Sequence, residues 1–207
     1  MLRAFRCLPG SIAVVALLAL SACSVEPRRP AGAGDWSAHL RAVGAAAHWQ
    51  LQGKIGIREP GNSGSAMLSW RQQADESYLL VLAGALGLGK LVIRGDANGV
   101  EWTNSRGESL RYPDPEALIR EVWGWGVPID ALRFWVRGIP QPGIPFESLI
   151  TSDAMAAGFS QAGWTLSYSD YRTVDGLALP TRIRLERGEV VLTVVVSRWQ
   201  NTLAEST

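Results

Sequence analysis

The residues with the most specific chemical pattern lie near the start of the chain, where Leu20-Ser21-Ala22-Cys23 ends a short apolar run. An apolar residue, two small residues and a cysteine form the bacterial lipobox, in which the cysteine thiol receives diacylglycerol before the signal is cleaved. The pattern predicts lipid attachment at Cys23, which becomes the mature N-terminus. The alternative is an ordinary secreted protein that is cleaved after Ala22 and has an incidental cysteine.

The segment before Cys23 has the composition of a signal peptide. Arg3 and Arg6 supply a positive n-region, and residues 12–20 form the apolar run. Because this run is much shorter than the roughly 20 residues needed to span a bilayer, residues 1–22 are predicted to be a cleaved signal. Ser24 follows the cysteine where an Asp would favour the inner membrane, so the sorting rule for lipobox proteins predicts the periplasmic face of the outer membrane.

A second chemical pattern occurs at Gly84 to Lys90, which has the GxxxxGK spacing of a phosphate-binding loop. Such a loop needs a Ser or Thr hydroxyl after the lysine, and a helix N-terminus to hold the phosphate. Here Leu91 follows the lysine, and the next residues have the pattern of a strand. The segment is therefore predicted to be a glycine-rich hairpin loop.

Other catalytic and metal-binding arrangements lack the residues that they need. Cys23 is the only cysteine after the predicted signal, and His39 and His48 do not have a zinc-binding spacing. The chain contains no HExxH and no GxSxG motif. We therefore expect no enzyme activity, no metal and no cofactor, and we expect both histidines to be solvated or capping residues.

Charge and composition exclude further classes of protein. The formal net charge of +1 falls slightly below zero when Arg3 and Arg6 leave with the signal, so nucleic acid is excluded as a partner. With 47% hydrophobic and 19% charged residues, the chain is too apolar to be disordered. We expect a lipidated, flexible tether over residues 23–34 and a single monomeric domain over residues 35–207.

The body of the chain is dominated by the alternation that is typical of strands. Apolar positions alternate with polar or small ones over residues 49–58, and residues 66–71 form an antiparallel partner after a Pro-Gly-Asn turn signal. Further strands are predicted at residues 78–83, 90–94, 100–103, 109–112, 164–171, 179–185 and 189–197. Their spacing predicts an antiparallel meander that bends into a barrel or half-barrel.

Three short helices are predicted among these strands. The first covers residues 35–47, beginning at a cap on Asp35. The second covers residues 115–123 and follows a cap on Asp114, and the third is capped by Asp130 and has ended by Gly138. Each helix has apolar residues on one side, so each is expected to pack against the sheet.

Apolar side chains also occur where a plain sheet core does not require them. The chain has nine tryptophans, and for each of them core packing is the ordinary explanation and lining of a ligand cavity is the alternative. Leu86 and Leu88 lie between glycines in the predicted hairpin loop, where polar residues are usual. For Leu86, transient contact with a bilayer or a ligand is the better explanation.

The order and spacing of these features resemble the LolB family of outer-membrane lipoproteins, which accept other lipoproteins from the periplasmic carrier LolA. The similar segments span most of the mature chain. They are residues 20–24, the strand 49–58, Ser69-Trp70, residues 80–93 with Ala85-Leu86-Gly87, residues 126–140, Gly163-Trp164 with Tyr168 and Tyr171, and residues 179–199.

The resemblance implies a mainly β fold with short helices (α+β), in which an incomplete antiparallel β-barrel encloses an apolar cavity that helices cover. It also implies that Leu86, on the family's protruding loop, helps to insert cargo into the inner leaflet of the outer membrane without ATP. Ala85 stands where the family is expected to have proline. The side chains expected to line the acyl-chain cavity are Leu51, Ile55, Leu68, Trp70, Leu80, Leu82, Ile93, Trp102, Trp125 and Trp135.

The partners that the resemblance implies are a LolA-like periplasmic carrier, lipoprotein acyl chains and outer-membrane lipid. Two other functions remain open from the residues alone. One is a structural or assembly lipoprotein that binds a protein partner through an aromatic surface. The other is a sensor domain with a similar half-barrel that binds lipoproteins or peptides without transferring them.

Overall fold

The structure is a computed structural model that describes residues 36–84, 89–123, 126–150 and 156–201 of the 207-residue chain. These ranges contain three helices and eleven strands. In chain order they are α1 (Trp36–Ala45), β1 (Trp49–Glu59), β2 (Asn62–Gln72), β3 (Tyr78–Ala83), β4 (Lys90–Asp96), β5 (Gly99–Asn104), β6 (Ser109–Tyr112), α2 (Pro115–Trp123), α3 (Ile129–Trp135), β7 (Phe146–Ile150), β8 (Ala156–Gln161), β9 (Trp164–Val174), β10 (Leu177–Arg187) and β11 (Val190–Asn201).

All the strands belong to one antiparallel sheet, whose order is β6-β5-β4-β3-β2-β1-β11-β10-β9-β8-β7. Within β1 to β6 and within β7 to β11, strands that follow one another along the chain are neighbours, and the pairing of β1 with β11 joins these two halves of the sheet. Within the described ranges the edge strands β6 and β7 do not pair, so the sheet stays open. The predicted mainly β fold, an incomplete antiparallel barrel with short helices, is confirmed.

The apolar side chains of the central strands alternate as a half-buried sheet requires. On β1 and β2, Leu51 lies opposite Trp70 and Ile55 lies opposite Ala66. On the other side of β1, the register with β11 shifts at Gln52/Gly53. A Cβ at Gly53 would lie 2.2 Å from the Val195 carbonyl oxygen, so only glycine lets the two strands approach so closely there.

The helices pack against the sheet, as their apolar faces predict. Helix α2 begins as expected, because the Asp114 carboxylate accepts hydrogen bonds from the backbone N–H groups of Glu116 (2.9 Å) and Ala117 (3.2 Å). Helix α1 contacts β10, whereas α2 contacts β5, β6 and α3. Within the described residues, no helix combines the length and the apolar character needed to cross a membrane.

Three details differ from the sequence predictions. Strands β7 and β8 were not predicted, because β8 (AAGFSQ) is poor in strand-forming residues and is held by its pairing with β7 and β9. Helix α3 begins after Pro128, which makes no side-chain capping bond, so the predicted cap on Asp130 is wrong and Asp130 lies in the first turn. His39 is only 6% exposed and stacks on Trp36, so it is not solvated.

Several predictions concern residues outside the described ranges. These are the signal and tether (residues 1–34), lipid attachment at Cys23, the cap on Asp35, the role of Leu86 and the cavity position of Trp125. The strand that follows Gly89 is described, and its presence confirms that a strand, not a helix, comes after the GxxxxGK pattern. The backbone N–H of Gly84 donates to the Gly89 carbonyl oxygen at 3.0 Å, which brings the two ends of this loop together.

Candidate functional site

An apolar cavity of about 90 Å³ lies between the sheet and the two helices α2 and α3. Among its described lining residues, Ser65 alone has a polar side chain. The sheet side of the lining comes from two groups of neighbouring strands. Strands β1 to β4 contribute Ile55, Ile57, Ser65, Ala66, Leu68, Trp70, Leu80, Leu82 and Ile93, and strands β10 and β11 contribute Leu185, Leu192 and Val194.

Strand pairing explains why these side chains meet. Side chains two residues apart point to the same face of a sheet, and directly paired residues on neighbouring strands share that face. Trp70 pairs with Leu80, which in turn pairs with Ile93, so these three side chains form one row across β2, β3 and β4. Leu68 and Leu82 form the next row. The result is a continuous apolar wall.

The opposite wall comes from the helical segment of the chain. Ile119 of α2 is buried, as are Ile129 at the start of α3 and Val136 just after its end. Val127 and Leu132 complete this wall. None of these residues was among the predicted lining set. Their signal in the sequence was the apolar side of the two predicted helices, but helix periodicity does not indicate which part of the sheet a helix covers.

The ten residues predicted to line the cavity fall into different places. Six of them lie in its wall: Ile55, Leu68, Trp70, Leu80, Leu82 and Ile93. Leu51 and Trp135 are fully buried in the core but do not line the cavity. Trp102 is only partly buried, packs against the core and also does not line it. Trp125 lies outside the described residues.

Leu51 pairs with Trp70 and Trp199, which belong to a buried aromatic cluster. The Trp49 ring is 5.3 Å from that of Trp70 and 5.7 Å from that of Trp199, and the Trp70 ring is 6.1 Å from that of Tyr78. These are ordinary separations for tilted and edge-on aromatic contacts. Trp70 belongs both to this cluster and to the cavity wall, so it forms the boundary between them.

A buried cation, Arg137, holds the end of α1 against this cluster. Its Nη1 donates to the carbonyl oxygens of Val43 (2.7 Å) and Ala46 (3.0 Å), and its guanidinium lies 5.6 Å from the Trp49 ring centroid. Burial, together with nearby Arg133, lowers the pKa of Arg137 to about 10, so it stays charged at neutral pH. A cation at a helix C-terminus is electrostatically favourable, and this contact was not predicted from sequence.

A buried amide fixes the C-terminal end of α3. Gln161 of β8 accepts hydrogen bonds from Trp135 Nε1 (2.7 Å) and from the Gln141 backbone N–H (2.8 Å). Its own Nε2 donates to the carbonyl oxygens of Gln141 (3.0 Å) and Ile144 (2.9 Å). Tyr168 also donates to the Trp135 carbonyl oxygen, at 2.9 Å. The C-terminal end of α3 is therefore tied to the sheet.

The residues of this site are suited to binding hydrocarbon groups away from water. Across the described ranges, no group of three or more His, Cys, Asp or Glu residues is placed to hold a metal ion. The described residues of the cavity wall include no charged side chain, so this wall favours an uncharged apolar group over water.

An open antiparallel sheet with helices over an apolar cavity defines a class of fold that occurs in solved structures. A LolA superfamily protein from Nitrosomonas europaea has this fold, with a TM-score of 0.50 and 10% identity over 79% of this chain and 92% of that one. A DUF1329 family protein from Desulfovibrio piger is also similar, with a TM-score of 0.55 and 9% identity over 86% of this chain and 95% of that one. At these identities the likeness shows the fold alone.

Sequence similarity identifies the family within this class. Residues 47–199 match the family described as "Outer membrane lipoprotein LolB". Outer-membrane lipoproteins LolB from Cellvibrio japonicus (39% identity, covering 80% of this chain and 84% of the relative) and Pseudomonas putida strain GB-1 (36%, covering 90% and 92%) are similar to it. The chain belongs to the LolB family, which confirms the resemblance found in its sequence.

Proposed function

We propose that this protein is a lipid-anchored receptor on the periplasmic face of the outer membrane. It accepts lipoproteins from a LolA-like carrier into its apolar cavity and inserts them into the inner leaflet of that membrane without ATP. The observation that carries this proposal is the cavity between the sheet and helices α2 and α3, whose described wall is apolar except for Ser65, in a chain of the LolB family.

The cost of exposing acyl chains to water explains why a cavity is needed. Each acyl methylene is worth about 0.8 kcal/mol when buried, so about 45 methylenes of a triacylated cargo would cost on the order of 30 kcal/mol to expose. Release into water is therefore excluded, and cargo must pass directly between apolar surroundings. A difference of about 2.7 kcal/mol between donor and acceptor already gives a hundredfold bias.

The size of the cavity adds a requirement to this proposal. At about 90 Å³ it is smaller than the roughly 150 Å³ cavity that holds benzene, and much smaller than ordinary ligand pockets. Complete burial of acyl chains therefore requires the wall to open. We expect α2 to be the part of the wall that moves, because the C-terminal end of α3 is tied to the sheet and the opposite wall consists of strands that are hydrogen-bonded on both sides.

Two residues outside the described ranges have roles in this proposal. Lipid on Cys23 holds the receptor at its target membrane, which raises the effective concentration of acceptor there. Leu86 lies in the short connection between β3 and β4, three residues after Ala83, and contacts the bilayer during delivery.

The alternative of an aromatic surface for a protein partner receives little support from the tryptophans. Among those whose side chains are described, five are buried: Trp49, Trp70, Trp135, Trp164 and Trp199. Buried rings stabilise the core and are not available to a partner.

The experiment that tests the function uses the mature chain with Cys23→Ala, mixed with carrier that is already loaded with a lipoprotein. We expect the cargo to move onto this protein and then into added liposomes. Cargo that stays on the carrier, although circular dichroism shows the acceptor to be folded, would overturn the proposal.

A second experiment tests Leu86. Leu86→Glu is expected to accept cargo normally but to lose delivery to liposomes, because a charged side chain disfavours contact with the bilayer interior. Met67→Glu is the matched control, since Met67 is an apolar side chain that is 61% exposed on the sheet. Equal delivery by wild type and Leu86→Glu would remove Leu86 from the mechanism.

A further inference from the structure

A second pocket, of about 320 Å³, adjoins the apolar cavity and has a different character. It lies between the β2–β3 turn, the β4–β5 turn and the start of α3, and its polar lining includes Gln72, Glu76, Tyr78, Asp96, Asp130 and Arg133. Trp70 and Ile129 line both cavities. A ligand that is apolar at one end and polar at the other could therefore occupy the two together.

Two buried donors of this pocket have no partner among the described residues. They are the Tyr78 hydroxyl and Arg133 Nε. The Arg133 guanidinium uses its Nη2 to reach Glu76 Oε1 at 3.0 Å, which leaves Nε unpaired. Burial raises the pKa of Tyr78, so its hydroxyl keeps its proton and remains a donor. Buried donors without partners are uncommon and costly, so a ligand that brought acceptor oxygens to these two atoms would relieve that cost.

The charges around the pocket restrict what that acceptor can be. Glu76, Asp96 and Asp130 place three carboxylates around it, and Arg133 is the one cation of its described lining. An anionic phosphate would meet net repulsion there. Uncharged carbonyl oxygens, such as those of esters and amides, can accept hydrogen bonds from Tyr78 and Arg133 without that penalty.

We propose that this polar pocket binds the ester and amide carbonyls of a lipidated N-terminal cysteine whose acyl chains occupy the neighbouring apolar cavity, and that it thereby selects lipopeptides against anionic phospholipids. The inference rests on the proposed function, because it requires acyl chains in the apolar cavity. It extends that function by explaining how the protein distinguishes lipoprotein cargo from the phospholipids of the membrane.

The experiment compares two ligands with the same acyl chains on the mature Cys23→Ala protein. One is a synthetic N-acetyl-S-diacylglyceryl cysteine dipeptide amide without charged side chains, and the other is phosphatidylglycerol with the same two acyl chains. Binding is measured by displacement of an apolar fluorescent dye from the cavity. Wild type is expected to bind the lipopeptide at least tenfold more tightly than the phospholipid.

Two variants separate the pocket from the cavity. Tyr78→Phe keeps the ring and removes only the hydroxyl, so we expect lipopeptide binding to weaken about three- to tenfold and phospholipid binding to stay unchanged. Asp130→Asn alters an exposed side chain and is expected to fold normally while phospholipid binding strengthens several-fold. Tyr112→Phe, which removes a hydroxyl outside the pocket lining, is the control.

The possible failures are distinguishable. If wild type binds both ligands equally and neither pocket variant changes their ratio, the selection is overturned while the apolar cavity keeps its role. A Tyr78→Phe effect of equal size on both ligands would show loosened packing and would also overturn the selection. If neither ligand displaces the dye from wild type, the proposed function itself fails, and this inference fails with it.

Discussion

Tyr78 and Gly95 are paired residues on β3 and β4, and the Tyr78 ring occupies the space that a side chain at position 95 would fill. A Cβ at Gly95 would lie 2.2 Å from Tyr78 Cε1 and 2.5 Å from its hydroxyl oxygen. Gly95 therefore sets the position of an aromatic ring that contacts Trp70 and lines the polar pocket. Because Gly95 has no side chain, the Tyr78 ring can lie directly over it.

The first prediction follows from this packing. Gly95→Ala should destabilise the protein by about 1–3 kcal/mol, because the Tyr78 ring must shift within a packed region. Urea unfolding followed by tryptophan fluorescence measures the change. Gly56→Ala is the matched control in a strand, since its new Cβ would have no neighbour closer than 3.8 Å. Equal losses in the two variants would contradict the assigned role of Gly95.

The second prediction concerns Arg137, which is 5% exposed and donates to two carbonyl oxygens at the end of α1. Arg137→Met should lower the free energy of unfolding by about 2–4 kcal/mol, because buried carbonyl oxygens lose a charged donor. Chemical denaturation tests this. Arg41→Met removes an exposed arginine of the same helix that bonds only to Ser37 in the described contacts, and it should change stability by less than about 0.5 kcal/mol. A change below about 0.5 kcal/mol in Arg137→Met would show that the bonds from Arg137 to the end of α1 do not stabilise the fold.

The third prediction concerns pH. Burial lowers the pKa of His39 below its ordinary 6.5, so the unfolded chain takes up this proton first as the pH falls. The stability that neutral His39 contributes is therefore fully present above about pH 6.5. Below that pH the free energy of unfolding falls, by up to about 1.4 kcal/mol per pH unit. His39→Phe keeps a ring against Trp36 and should flatten the stability curve between pH 7.5 and 5.5. His48→Phe removes the other histidine and is the control, in which the pH dependence of stability should remain. If His39→Phe also keeps this pH dependence, groups other than His39 cause it.

The fourth prediction concerns the capacity of the apolar cavity. Ala66 is buried and lies in its wall, so Ala66→Leu should fill part of the space. We expect at least a fivefold loss of affinity for an apolar dye, with a stability change within about 3 kcal/mol. Met67→Leu alters the next residue, on the opposite and exposed face, and should leave dye binding intact. If Ala66→Leu binds the dye as tightly as wild type does, the dye binds outside the apolar cavity.

Local patterns were sufficient to predict most of the elements. The strict alternation over residues 49–58 predicts β1, and the cap on Asp114 predicts the start of α2; both are found. These features depend on residues close together in the sequence, because side-chain period and helix capping are local properties. Three predictions failed for reasons that side-chain period and composition do not show. Strand β8 is held by its pairing with β7 and β9, and helix α3 begins after Pro128. His39 is buried on α1, which contacts β10.

By itself, the sequence determined the family, the open antiparallel sheet with short helices, and the inward face of each central strand. Only the tertiary structure decided which part of that face borders the cavity. Leu51 and Ile55 lie on the same face of β1, yet Leu51 pairs with Trp70 and Trp199 of the aromatic cluster and does not line the cavity, whereas Ile55 pairs with Ala66 and Val194 in the cavity wall. Alternation cannot distinguish them, because the difference arises from the β1–β11 pairing and from where α2 and α3 lie across the sheet.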